Sequence, residues 1–118
     1  MSFIFTNDTP IYLQIVKHVK SLIVSGVYAP LTKLPSVRDF SIEYNVNPNT
    51  ALKALQELER LNLIYTDRTN GKFVTGDESV LKQVKSDAIR QLSSDFLKEA
   101  TRLGFTKQEV INIINKEN

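Results

Sequence analysis

The 118-residue chain has no cysteine, no tryptophan and a single histidine. Without cysteine there is no disulfide, no thiolate nucleophile and no Cys-based metal site, a pattern that fits a reducing compartment. His18 stands alone between Lys17 and Val19, with no companion for a triad or a metal cluster, so it reads as a surface or interface residue. Asp39 with Glu43, and Glu57 with Glu59, read as solvated helix charges. The expectation is therefore no enzyme, no cofactor and no metal. Long apolar runs are also missing. "MSFIFTND" lacks a basic region followed by an extended apolar segment, so neither a signal peptide nor a membrane helix is expected and the default location is the cytoplasm.

What is present is the composition of a globular domain, 42% hydrophobic and 24% charged, long enough for one domain with a short appendage. Net charge is only +2, which permits nucleic-acid binding without requiring it. The excess lies early: through residue 75 there are eight Lys or Arg against six Asp or Glu, and from 76 onward seven of each.

The few prolines and glycines punctuate the chain. Thr9 as cap and Pro10 at the first helical position open a helix over 10–25, carried by Ile11, Ile15, Val19, Leu22 and Ile23 and stopped by Gly26. "VYAPLTKLPS" holds two prolines and predicts an extended connector. Ser36 then caps a short helix, "VRDFSIEY", with Asp39 at its third position. After "NVN", Asn47 caps and Pro48 starts a helix over about 48–61, whose Ala51, Ala54, Leu55, Leu58 and Leu61 form one apolar stripe. "LIYTDRTNGKFVT" changes to a strand period around Asn70-Gly71, the signal for a tight two-residue hairpin turn that must lean on helices. A long helical pattern follows over 78–103, ended by Gly104. Thr106 with Glu109 then forms a capping box for a last helix bearing Val110, Ile111, Ile113 and Ile114.

The fold expected is mainly α with a small β-hairpin: a winged helix-turn-helix over residues 1–76 and a C-terminal helical hairpin over 77–118. A helix that enters the major groove by its N-terminal end needs donors and acceptors in its first turns, an apolar stripe behind, and its positive dipole end toward phosphate. Asn49 suits a bidentate pairing with adenine. Thr50 suits phosphate or a thymine methyl, and Lys53 suits phosphate or guanine. Asn47 is first a cap and second a phosphate contact. Leu52 reads equally as a thymine-methyl contact or as packing. Arg38 sits in the first turn of the preceding helix, with an ion pair to a neighbouring carboxylate as its alternative. At the hairpin tip Arg68, Thr69, Asn70, Gly71 and Lys72 combine two cations with a backbone that approaches a surface closely, against the alternative of a solvated turn.

"LPSVRDFSIEYNVNPNTALKALQELERLNLIYT" followed by "RTNGKFV" resembles the GntR family of bacterial transcription regulators, and "PIYLQIVKHVKSLIVSG" resembles the helix that opens that domain. The likeness covers about residues 10–75. It implies a homodimer on an inverted-repeat operator in double-stranded DNA. Contacts would come from Ser36, Arg38, Asn47, Pro48, Asn49, Thr50, Lys53, Arg68, Asn70, Gly71 and Lys72. A tail too short for an effector domain looks like the YtrA subfamily, whose tails dimerise and whose members commonly repress transporter operons. Leu81, Val84, Ala88, Leu92, Phe96, Leu97, Val110, Ile111 and Ile114 are the candidate dimer contacts, because they exceed what two helices cover for each other. An unidentified small-molecule effector has room only at the dimer interface or between tail and DNA-binding domain. Leu31 and Asn62 stand where the family usually has glycine. Thr69-Asn70 stands where the wing usually has glycine and a basic residue, which leaves Lys72 as the compensating cation. The competing expectation is a winged-helix module that docks protein and does not read DNA.

Overall fold

In the computed structural model, which describes residues 3–117, the chain forms two compact units, Met1–Lys82 and Gln83–Asn118. The first holds α1 (Ile11–Val24), α2 (Val37–Tyr44), α3 (Pro48–Arg60) and a hairpin of β1 (Ile64–Asp67) and β2 (Gly71–Val74). A long helix, α4 (Glu78–Arg102), begins in this unit. The second unit continues it and adds α5 (Lys107–Lys116). The division falls inside α4, whose Val80 lines a shallow cleft with Asn62, Ile64 and Tyr65.

Local chemistry sets most of these boundaries. The Ser36 hydroxyl accepts from the Asp39 amide at 3.1 Å, and the Asn47 side chain accepts from the Asn49 amide at 2.8 Å. Each satisfies one of the amides that a helix start leaves without a partner. Between them, Asn45 turns the chain in the left-handed region with φ 53°. The expected start of α1 is corrected by one residue: Pro10 is the cap position, with extended backbone, and Thr9 makes no side-chain cap. Gln14 instead fastens the preceding segment, its amide donating to the Thr6 and Thr9 carbonyls at 2.9 Å each while its oxygen accepts from the Thr6 amide. That clasp ties the segment before α1 to the helix.

The hairpin also departs from expectation. Asp67 pairs with Gly71, so the loop is the three residues Arg68-Thr69-Asn70 and not a two-residue Asn70-Gly71 turn. The Asp67 carboxylate accepts from the Thr69 amide at 2.9 Å and the Asn70 amide at 3.2 Å, and this local side-chain turn outcompetes the tighter alternative. The connector before α2 joins the hairpin as a third edge. The Leu31 amide donates to the Val74 carbonyl, Val74 to Thr32, and Leu34 to Lys72, at 2.9–3.0 Å. Leu31 adopts a left-handed φ of 67°, which costs roughly 1 kcal/mol in a residue with a side chain. Its side chain then fills the space over Gly76, where an added Cβ would lie 2.7 Å from Leu31 Cδ2.

The core of the first unit is continuous in sequence pattern and in space: Ile15, Val16, Val19 and Ile23 of α1, Phe40 and Tyr44 of α2, Ala51, Ala54, Leu55 and Leu58 of α3, with Leu34, Leu63, Ile64 and Val74. Small Ala51 and Ala54 allow α3 to approach its neighbours closely, and α3 packs on both α1 and α2. In the second unit, the Thr106 hydroxyl accepts from the Glu109 amide and the Glu109 carboxylate accepts from the Thr106 amide, the reciprocal box read from the sequence. Only Ala100 and Val110 are buried there among the described residues.

Candidate nucleic-acid interface

The first turn of α3 collects exposed polar groups on a helix held rigidly from behind. Asn47, Pro48 and Asn49 are exposed and Thr50 is half-exposed, while Ala51, Ala54, Leu55 and Leu58 anchor the opposite face. Among the described residues neither the Asn49 side-chain amide nor the Thr50 hydroxyl has a hydrogen-bond partner, whereas the Asn47 side chain is committed to its cap. Three and four residues on, the surface is less simple. Lys53 places its ammonium 4.4 Å from the centroid of the Tyr12 ring, a cation–π contact that holds the side chain toward α1. Leu52 is 36% exposed, so packing already takes up most of its surface.

Arg38 is exposed at the start of α2 and forms no ion pair among the described residues, so the neighbouring-carboxylate alternative is not what the structure contains. Ser36, exposed beside it, has its hydroxyl engaged by the Asp39 amide. The N-termini of α2 and α3 therefore present, within one packed pair of helices, a free guanidinium and a free carboxamide. Both carry the positive end of a helix dipole, which favours a polyanion.

In the wing, Arg68 is exposed at the loop and has no ion pair among the described residues, and the Asn70 side chain donates to the Asp67 carboxylate at 3.4 Å. The Thr69 and Asn70 amides hold the Asp67 carboxyl below its ordinary value, so the turn keeps its negative hub at neutral pH. Lys72 does not extend from the tip. Its ammonium lies 2.8 Å from the Thr66 hydroxyl and 3.1 Å from the Glu59 carboxylate at the end of α3. Thr66 also donates to Glu59 at 2.6 Å. Hydrogen bonds from Thr66 and then Lys72 lower the Glu59 carboxyl from its ordinary value. The network ties both strands of the wing to α3.

His18 is half-buried and sits 2.7 Å from the Tyr44 hydroxyl through Nδ1, with the Phe3 ring 4.7 Å away. Burial raises the Tyr44 phenol well above its ordinary value. The histidine is a structural member of an aromatic cluster joining the N-terminal segment to α1 and α2.

Of the tail residues expected to pair, Leu92, Phe96, Ile111 and Ile114 are exposed and Leu81, Val84, Ala88 and Leu97 half-buried. Val110, by contrast, is buried within its own unit, only 4% exposed. Ile89, Leu103, Phe105 and Ile113 add to the uncovered surface.

Comparison with known proteins supplies the context. The model of the bacterial regulatory proteins of the gntR family matches residues 11–74. The HTH-type transcriptional repressor YtrA of Bacillus subtilis (strain 168) is 35% identical over 99 residues, which is 83% of this chain and 76% of that protein. The solved structure of a GntR family transcriptional regulator from Listeria monocytogenes superposes with a TM-score of 0.89 at 38% identity, covering 97% of this chain and all of that one. The DNA-binding domain of AraR, solved in complex with operator ORX1, superposes on 61% of this chain and 93% of its own with a TM-score of 0.57 at 26% identity.

Proposed function

From the premise that this chain belongs to the gntR family of bacterial regulatory proteins, as a DNA-binding regulator of transcription and not an enzyme, we propose that it is a repressor that binds an inverted-repeat operator as a homodimer. The observation that carries the proposal is the first turn of α3. Its Asn49 side chain is exposed and its Thr50 side chain half-exposed, and among the described residues neither has a hydrogen-bond partner and Arg38 has no ion pair, on helices whose other faces are packed. Asn49 reads a base edge, with Thr50 and Arg38 on the backbone or a neighbouring base. Asn47, Ser36 and Pro48 position the two helix starts, Lys53 meets phosphate after leaving Tyr12, and Arg68, Asn70 and Gly71 bring the wing to the minor groove.

Two features outside the reading head support the rest. Exposed Leu92, Phe96, Ile111 and Ile114 give the second unit an apolar surface suited to a second copy. No helix among the described residues is long and apolar enough to cross a membrane. The resemblance to YtrA points to a transporter operon as the target.

The test is a gel-shift titration on the duplex upstream of the chain's own gene, at physiological salt. Asn49→Ala is expected to cost about 1–3 kcal/mol on that duplex, the worth of a bidentate base contact, while leaving binding to random DNA unchanged. An equal loss on both DNAs would make Asn49 a backbone contact and remove it from sequence reading.

A further inference from the structure

We infer that Lys33, supplied by the connector before α2, is the cation that the base of the wing offers to the DNA backbone, and that Lys72 is a strut inside the domain. The inference rests on the wing reading above and adds a residue that the sequence pattern does not single out.

The strand period separates the two lysines. Across the hairpin, Ile64 pairs with Val74 and Thr66 with Lys72, and these residues share the face turned toward α3. Gly71 and Phe73 lie on the opposite face. Lys33 bridges to Phe73 and so joins that outer face as the third edge. Its side chain runs from there toward the loop: a Cβ on Gly71 would lie 3.3 Å from Lys33 Cε and 3.9 Å from Nζ. Gly71 thus has a second use besides its left-handed φ of 103°, since any side chain there would push against the lysine stem.

The charges divide in the same way. Lys72 is compensated by Glu59 and hydrogen-bonded to Thr66, and its side chain is 23% exposed. Lys33 is an exposed residue with no ion pair among the described residues. A phosphate gains most from a cation that has no carboxylate to abandon. The wing therefore meets DNA with Arg68 at its loop and Lys33 beside Gly71, and the Glu59–Thr66–Lys72 network holds it at a set angle to α3.

The salt dependence of binding separates a phosphate contact from a strut. Full-length chain is titrated by fluorescence anisotropy against a labelled random-sequence DNA duplex over a range of salt concentrations. Each phosphate contact contributes about 0.9 to the slope of log K against log salt. Lys33→Gln and Arg68→Gln are each expected to reduce the slope by about that amount, and Lys33→Arg to restore it. Lys72→Gln is expected to weaken binding with the slope unchanged, with Lys72→Met repeating the result. A normal slope in Lys33→Gln together with a reduced one in Arg68→Gln would overturn the inference and leave the wing on DNA. A reduced slope in Lys72→Gln would overturn it too. A slope insensitive to both Arg68 and Lys33 would take the wing off DNA and remove the reading on which the inference depends.

Discussion

The two compact units use their apolar residues in opposite ways. Met1–Lys82 folds three helices, a hairpin and a connector around one core in which Val19, Leu58, Leu63 and Val74 have no exposed surface. Gln83–Asn118 has fewer apolar residues in its helices, yet Phe96, Leu92 and Ile114 keep half or more of their surface exposed. A unit that closes on itself gains its stability from within. An exposed apolar patch of this kind on a short helical pair suits an association surface. The first unit folds on its own residues, and under the proposed function a second copy covers the tail.

That contrast breaks most readily at the core. Leu58→Ala should cost about 2–5 kcal/mol, the range for emptying a fully buried leucine site, read as a lower midpoint in thermal unfolding at any protein concentration. A loss below about 1 kcal/mol would mean the first unit does not depend on this core. In the second unit the signature is reversed. Phe96→Ala should weaken self-association by about 2 kcal/mol or more, roughly thirtyfold in the dimer dissociation constant, as expected of an aromatic anchor. Sedimentation equilibrium measures it, and an unchanged association constant would move the interface elsewhere. The smallest effect belongs to the strut between α3 and the wing. The Glu59 carboxyl is lowered from its ordinary value of 4.5, chiefly by Thr66 and Lys72. A depressed folded value gives stability that is present above pH 4.5 and is lost as the pH falls through the folded value. With the Glu59 side chain 43% exposed, the contribution is below about 1 kcal/mol. Glu59→Gln should therefore lower stability slightly at pH 7, and the difference should shrink as the pH falls below 4.5 in a urea series. A constant difference across that range would locate its effect in packing.

How much of this was legible depended on how local the cause was. The starts of α2, α3 and α5 are written in Ser36, Asn47 and Thr106, because each cap bonds an amide two or three residues away. Asn62 was legible as a left-handed helix end, and its φ of 62° agrees. The hairpin loop was misjudged because Asn70-Gly71 is a strong signal by itself, and the competing turn centred on Asp67 only shows its strength once both amides are seen to converge on one carboxylate. The third edge at 31–34 was not legible, since its partners lie some forty residues away and two prolines in the connector suggest only extension. Lys33 followed it out of view. Val110 has the same apolar character as its neighbours in α5, and its burial within its own unit shows only in the folded chain. The exposed polar first turn of α3 was legible because its apolar stripe leaves Asn47, Asn49 and Thr50 on the faces that packing does not use.

The central claim joins the two units: a rigid reading head made operator-specific by pairing through the tail. It is tested most directly by the stoichiometry and selectivity of the complex on the upstream duplex, measured together by analytical ultracentrifugation with labelled DNA at physiological salt. The account predicts two chains on one inverted repeat, at least a thousandfold tighter than on random DNA, with both properties lost together in Phe96→Ala. One chain per duplex, or equal binding to repeat and random DNA, would contradict it.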